Sequence, residues 1–480
     1  MQNKSVKKNY IMNIVLSMSS FIFPLIVFPY VARIIKPVGL GKVSMATSVI
    51  SCLSIFAQLG IPTYGIRECA KVRDDKGRLS QLVCNLLYIN TISCYVTFSF
   101  FWVLLFFIPQ FKYEATLYLI MSSSLILNTF GMEWLFRGLE EYYYITVRSL
   151  IFKAIAIVLM FFFIKNENDY ILYGFFTVFA ASASNILNIF RAHKIISFKG
   201  IEKKSLSKHV ASALVFVSMT CATTIYMNLD NIMLGFMKDN IEVGYYDAAV
   251  KVKKVVVSII TALGGVLLPR VTYLIENNYV KQFKEIVCKS INYVIFIALP
   301  MMFYLIYFAQ DCIYLLCGEE YEGAVIPMKI ITGTIIFIGL SNMTGIQVLI
   351  PLGKEKKVLI SEIYGAIIDV ILNFLLIPLI GASGAAVGTV AAEITVLLVQ
   401  LYYIREDIRL FFKNAEILKV CVACVVALVS VLYLTHINMT NIGRLIISAL
   451  QFCMVYFFVL IIERHSMIKM MQRSFFKRRM

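Results

Sequence analysis

Along the chain, apolar runs alternate with short polar segments. A helix needs about 20 apolar residues to cross the hydrocarbon of a bilayer. In the first 200 residues, runs of about that length lie at roughly 10–33, 43–64, 84–108, 115–136, 148–165 and 170–190. Six more follow at 210–236, 252–274, 290–310, 324–350, 358–380 and 383–404, and a last pair at 416–435 and 442–462. The pattern predicts an all-α integral membrane protein with about 14 transmembrane helices.

The polar segments carry their own pattern. Basic residues collect on the cytoplasmic side of membrane proteins. With the N-terminus inside, beside Lys4, Lys7 and Lys8, the alternate loops and the tail hold 33 of the 45 lysines and arginines. The facing loops are poor in bases, and "QDCIYLLCGEEYEG" has four acids and none. An even number of spans returns the tail "RSFFKRRM" to the inside. Both termini are therefore expected in the cytoplasm.

Composition agrees with a chain buried in lipid. It is 60% hydrophobic and 15% charged over 480 residues, against about 45–50% apolar for soluble domains. The net charge of +17 would suggest nucleic acid in a soluble protein. Here the bases sit between apolar runs, so they read as membrane-surface charge, and no nucleic-acid partner is expected. No inner segment exceeds about 20 residues, which leaves no room for a nucleotide-binding or glycosyltransferase domain. GxxxxGK[ST], HExxH and GxSxG are absent; "PLGKEKK" lacks the upstream glycine and the Ser/Thr of a phosphate loop. No catalytic residues, cofactor or metal are expected. Of the 11 cysteines, Cys421 and Cys424 have CxxC spacing along one apolar run and read as packing residues. Cys312 and Cys317 flank a short loop that a disulfide could close. Trp134 and Tyr142–Tyr144 read as interfacial belt residues.

A weak repeat is visible. "ARIIKPVGLGKVSMATSV" (32–49) and "MLGFMKDNIEVGYYDAAV" (233–250) each place an alanine five residues after a glycine, Gly41 to Ala46 and Gly244 to Ala249. A proline follows in each second helix, Pro62 and Pro269. The offset of 203 residues predicts two parallel six-helix bundles. The expected lobes are 1–200 and 201–410, with two extra helices and a basic tail at 411–480.

In these stretches, and in "LGIPTYGIRECAK", "GGVLLPRVTYL" and "LNFLLIPLIGASGAAVGTVAAE", the chain resembles the Wzx-type O-antigen and capsule flippases. These belong to the multidrug/oligosaccharidyl-lipid/polysaccharide (MOP) exporter superfamily. The resemblance covers nearly the whole chain. It implies two pseudo-symmetric lobes around a central cavity, alternating access, and an undecaprenyl-diphosphate-linked oligosaccharide as cargo in a bacterial plasma membrane. Membrane lipids, H⁺ or Na⁺, and a polysaccharide polymerase are the other partners it suggests.

A bare diphosphate and sugar cannot cross hydrocarbon, so such cargo needs fixed positive charge along its route. Four cations in or beside spans are candidates. Arg33 ends the first span, and Lys153 lies in the fifth. Lys251 and Lys254 share a face at the start of the eighth. Each has a plainer reading as an interfacial base that snorkels to the membrane surface. Asp230 ends the seventh span. Asp369 and Glu393 sit deeper, in the eleventh and twelfth. All three are candidates for ion coupling or for a charge pair, Asp230 with Arg33 or Lys251, because acids in hydrocarbon are costly. Hydrogen-bonded locks between helices are the plainer alternative. The second functional reading is a multidrug or metabolite exporter of the related MATE antiporter type, usually with twelve spans. A polymerase or ligase would more often carry a large outer loop.

Overall fold

The computed structural model describes residues 6–198, 203–412, 416–437 and 440–469. Lys4 and the tail from residue 470 lie outside the described residues. Among the described residues there is no strand. A chain passing through lipid must satisfy its backbone within each segment, and helices do so.

The chain divides into two compact units, Met1–Gly244 and Tyr245–Met480. The first contains α1 (Val6–Gln58), α2 (Ile61–Val72), α3 (Lys76–Phe107), α4 (Ala115–Gly131), α5 (Tyr142–Phe163), α6 (Tyr170–Ser182), α7 (Ile186–Ile195) and α8 (Lys203–Met237). The division falls within α9 (Asn240–Glu276). The second unit continues with α10 (Val280–Tyr307), α11 (Val325–Thr332), α12 (Thr334–Asn342), α13 (Glu355–Ile380), α14 (Ala382–Tyr403), α15 (Ile417–Val431) and α16 (Asn441–Ile462). Shorter helices and a π-helical turn at Met343–Leu349 link some of them.

Among the described residues, eleven helical segments are long and apolar enough to cross a membrane, and the first of these runs 48 residues. That segment covers two expected spans. Its break is at Lys36, whose φ of 58° and ψ of 177° lie outside the helical region. Pro37 explains the position, because a residue before proline is pushed out of the α conformation. The shorter α4 and the 35-residue α8 fill the remaining expected positions, so the architecture is consistent with fourteen crossings. Large apolar side chains such as Phe106, Phe107, Leu379, Leu418 and Ile462 are exposed, as lipid-facing positions should be.

In the first unit, Ile61, Tyr64, Leu79, Leu86, Trp134, Phe136 and Ile145 form part of one buried cluster. Trp134, expected in the interfacial belt, is 3% exposed. The reason is a sharp turn: Met132 has φ 43° and ends α4, so the next residues enter the short helix Glu133–Gly138. Its indole then lies on Gly65 of α2, where any Cβ would overlap the ring. The proline correspondence also fails. Pro62 starts the separate helix α2 after Leu59 and Gly60, both at positive φ, whereas Pro269 lies inside α9.

In the second unit, α15 and α16 pack on α10. Tyr456 donates to the Phe296 carbonyl at 2.7 Å, and Tyr304 to the Leu445 carbonyl at 2.9 Å. Arg444 pairs with Asp311 at 2.8 Å. Cys312, Cys317, Cys421 and Cys424 are all free thiols, so no disulfide closes the 312–317 loop.

Candidate functional site

The charged side chains of the first unit fall into two kinds. The braced kind is typified by Arg148 on α5, only 3% exposed. Its guanidinium donates to Glu133 at 2.9 Å and to the Ser184 carbonyl at 2.9 Å. Arg137 holds the other oxygen of the same Glu133 at 2.7 Å. Lys42 on α1 is similarly held, 2.6 Å from Glu114, which also accepts from the Tyr170 hydroxyl at 2.8 Å. Lys36 pairs with Glu167. These contacts staple the break in α1 to the segments preceding α4 and α6.

Lys153 is of the other kind. It lies five residues beyond Arg148 on α5 and is half-buried against α1. Its ammonium donates to Ser19 Oγ at 2.8 Å and Ser20 Oγ at 3.2 Å. Neither contact neutralises it, and no ion pair to Lys153 occurs among the described residues. An ammonium has three protons to donate, so a third can still meet an anion.

Arg33 is exposed, three residues before the break at Lys36. Asp230 is 6% exposed near the end of α8. Around it, Asn231 donates to Ser48 on α1 at 3.1 Å, and Gly235 packs on Met45. The turn that follows α8 meets the turn inside α1 reciprocally. A Cβ on Gly41 would overlap the Asn240 carbonyl, and a Cβ on Gly244 would overlap the Pro37 carbonyl. Residues 37 and 41 are each 203 positions from 240 and 244, the offset of the sequence repeat.

In the second unit Lys251 is paired with Asp247, at 2.6 Å and one helical turn before it on α9. Lys254 is exposed. Asp369 is 1% exposed on α13. It faces Gly388 of α14, where a Cβ would come within 2.9 Å of its Oδ1, and Asn373 reaches the same glycine. Glu393 of α14 is half-buried, close enough to Glu362 of α13 for the two charges to interact. Nearby, Thr344 donates to Gln400 at 2.6 Å and Gln400 to Ser361 at 3.2 Å. These deep polar groups stand where α13 and α14 pack closely, as small-residue helices do in membranes.

Arg148, Glu133, Lys42 and Glu114 were not singled out from sequence. The contacts of Arg148 with Glu133 and Ser184, and of Lys42 with Glu114, join residues distant along the chain and form only in the fold, though the four-residue spacing of Glu133 and Arg137 was legible. Asp247 was legible, since its four-residue spacing to Lys251 is that of a helical ion pair.

Apolar helices of crossing length define a polytopic membrane protein. The chain belongs to the polysaccharide biosynthesis protein family, whose model matches residues 6–274. A putative O-antigen transporter of Escherichia coli (strain K12) is 25% identical over 410 residues, covering 84% of this chain and 97% of the relative. The lipid II flippase MurJ in an inward closed conformation superposes with a TM-score of 0.76 at 15% identity, covering 96% of this chain and all of MurJ. An outward-facing multidrug resistance MATE transporter of the MOP superfamily gives 0.56 at 14% identity, over 84% of this chain and 96% of that one. The fold is thus that of the MOP superfamily.

Proposed function

We propose that this protein flips undecaprenyl-diphosphate-linked oligosaccharide repeat units from the inner to the outer leaflet of a bacterial plasma membrane, for surface polysaccharide assembly. The observation that carries the reading is Lys153, a cation inside a span with two hydroxyl partners and, among the described residues, no carboxylate in ion-pair range. An ammonium in hydrocarbon without a direct ion pair is costly, and an anionic cargo passing it would offset that cost. A multidrug exporter of cationic compounds has no use for such a group. Family membership and the O-antigen transporter relative support the same cargo class.

In this reading Arg33 and Lys254, both exposed, supply further positive charge along the route, and Lys251 does so when it leaves Asp247. Asp230 acts as a switchable carboxylate with Arg33. Asp369 and Glu393 are the remaining candidates for coupling to H⁺ or Na⁺. Two six-helix lobes, 1–200 and 201–410, alternate access, with residues 411–480 added to the second. Both termini face the cytoplasm, and a polysaccharide polymerase takes the flipped product.

Deletion of the gene tests the reading. The expected strain loses surface polysaccharide and accumulates lipid-linked repeat units on the inner leaflet. Unchanged surface polysaccharide, with increased sensitivity to cationic drugs, would replace it with the exporter reading.

A further inference from the structure

A second charged site lies in the second unit, apart from the cations of the proposed transport route. A cavity of about 790 Å³ is lined by Lys281, Lys284, Glu285, Cys288, Lys289 and Asn292 of α10, with Leu410, Glu416, Ser466 and Met467 closing the other side. The lining combines the start of α10, the start of α15 and the segment just past α16. Those are helix ends, so the cavity opens at one face of the membrane.

Its charges are unequally satisfied. Glu416 is engaged by Lys419 at 2.9 Å, the Ser466 amide at 2.8 Å and His465 at 3.3 Å. Lys284 is matched by Asp407 at 2.7 Å. Lys289 reaches Glu285 only at 3.9 Å, and both side chains are largely exposed. Lys281 has no carboxylate in ion-pair range among the described residues. Two ammonium groups therefore face the cavity with spare capacity. The lining also has an apolar side: Leu410, which lines the cavity, is exposed, and Ile417 and Leu418, which follow Glu416 in the sequence, are exposed too. A soluble anion would use the lysines but not this side. An amphiphile uses both.

We propose that this cavity binds the phosphate head group of an anionic phospholipid, with Lys281 and Lys289 at the phosphate and the acyl chains leaving past Leu410. Basic pockets between helix ends at the membrane surface suit such head groups. Bound there, the lipid bridges α10 to the two C-terminal helices, so these helices serve as a lipid-sensing bracket on the second unit.

The test is native mass spectrometry of the detergent-purified full chain with phosphatidylglycerol, phosphatidylcholine or inorganic phosphate. Wild type should retain phosphatidylglycerol over phosphatidylcholine, and inorganic phosphate should not displace it. Lys281→Gln with Lys289→Gln should weaken phosphatidylglycerol binding roughly 30-fold, while Lys281→Arg with Lys289→Arg should keep it. Both lysines are exposed, so neither pair of changes burdens folding. Equal binding by the glutamine variant and wild type overturns the proposal. So does equal retention of phosphatidylcholine, or loss of binding in the arginine variant. Displacement by inorganic phosphate reassigns the cavity to a soluble anion. No lipid-linked sugar enters the assay, so its failure leaves the transport reading untouched.

Discussion

Lys153 and Arg148 share a helix and a charge type, yet the structure uses them differently. Arg148 is consumed by Glu133 and a backbone carbonyl, so its removal leaves the Ser184 carbonyl and one Glu133 oxygen without that donor, while Arg137 still holds the other oxygen. Arg148→Ala should therefore lower the amount of folded protein, by about 1–3 kcal/mol of stability, seen as a reduced melting temperature in detergent. Lys153 holds only hydroxyls. Lys153→Ala should leave the melting temperature near wild type while cutting export about tenfold to a hundredfold, the worth of one charge-assisted hydrogen bond or slightly more. Lys153→Arg should recover much of it. Asp230→Asn keeps the shape of a buried side chain and removes its charge. Export should fall at unchanged protein level, and Asp230→Asn with Arg33→Ala should be no worse than the more defective single change, because members of one pair are not additive. Full export by Asp230→Asn would reduce Asp230 to a packing residue.

At the scale of elements, the segment past α16 is tied to the start of α15 through Glu416 and His465. Burial opposes ionisation of Glu416, but the Ser466 amide, Lys419 and His465 outweigh it and hold the carboxyl below its ordinary range. Burial lowers the His465 pKa, against the pull of Glu416. The two signs agree. A histidine depressed in the folded state costs stability as pH falls through its unfolded value of about 6.5, because the unfolded chain takes the proton more readily. The Glu416 contribution, full at neutral pH, goes later, as pH falls through its own lowered value. The protection factors of amides at residues 465–469, corrected for the intrinsic pH dependence of exchange, should thus fall as pH drops from about 7 to about 5, and His465→Phe should flatten that range. The spans that carry these elements were legible because lipid imposes a length and an apolar content on every crossing. What was not legible depended on turns and on distant partners. Trp134 is buried because Met132 adopts a positive φ, which hydropathy does not encode. The lysine-lined cavity joins residues from 281 to 467, and no spacing rule connects them.

For the whole molecule, the alternation of basic segments yields a map of sides. Reporter fusions at Ser197 and Lys354 should read cytoplasmic, and one at Glu319 external; an external signal at Lys354 would break the fourteen-span topology. The two repeat-like stretches pack reciprocally, Gly41 on residue 240 and Gly244 on residue 37. Each stretch supplies one glycine and one carbonyl, a self-complementary arrangement. If the halves descend from a duplicated gene, this is where the copies could not drift apart independently. A side chain gained by either glycine collides with its twin's backbone, so each copy polices the other. The two stretches that still look alike are the two that touch.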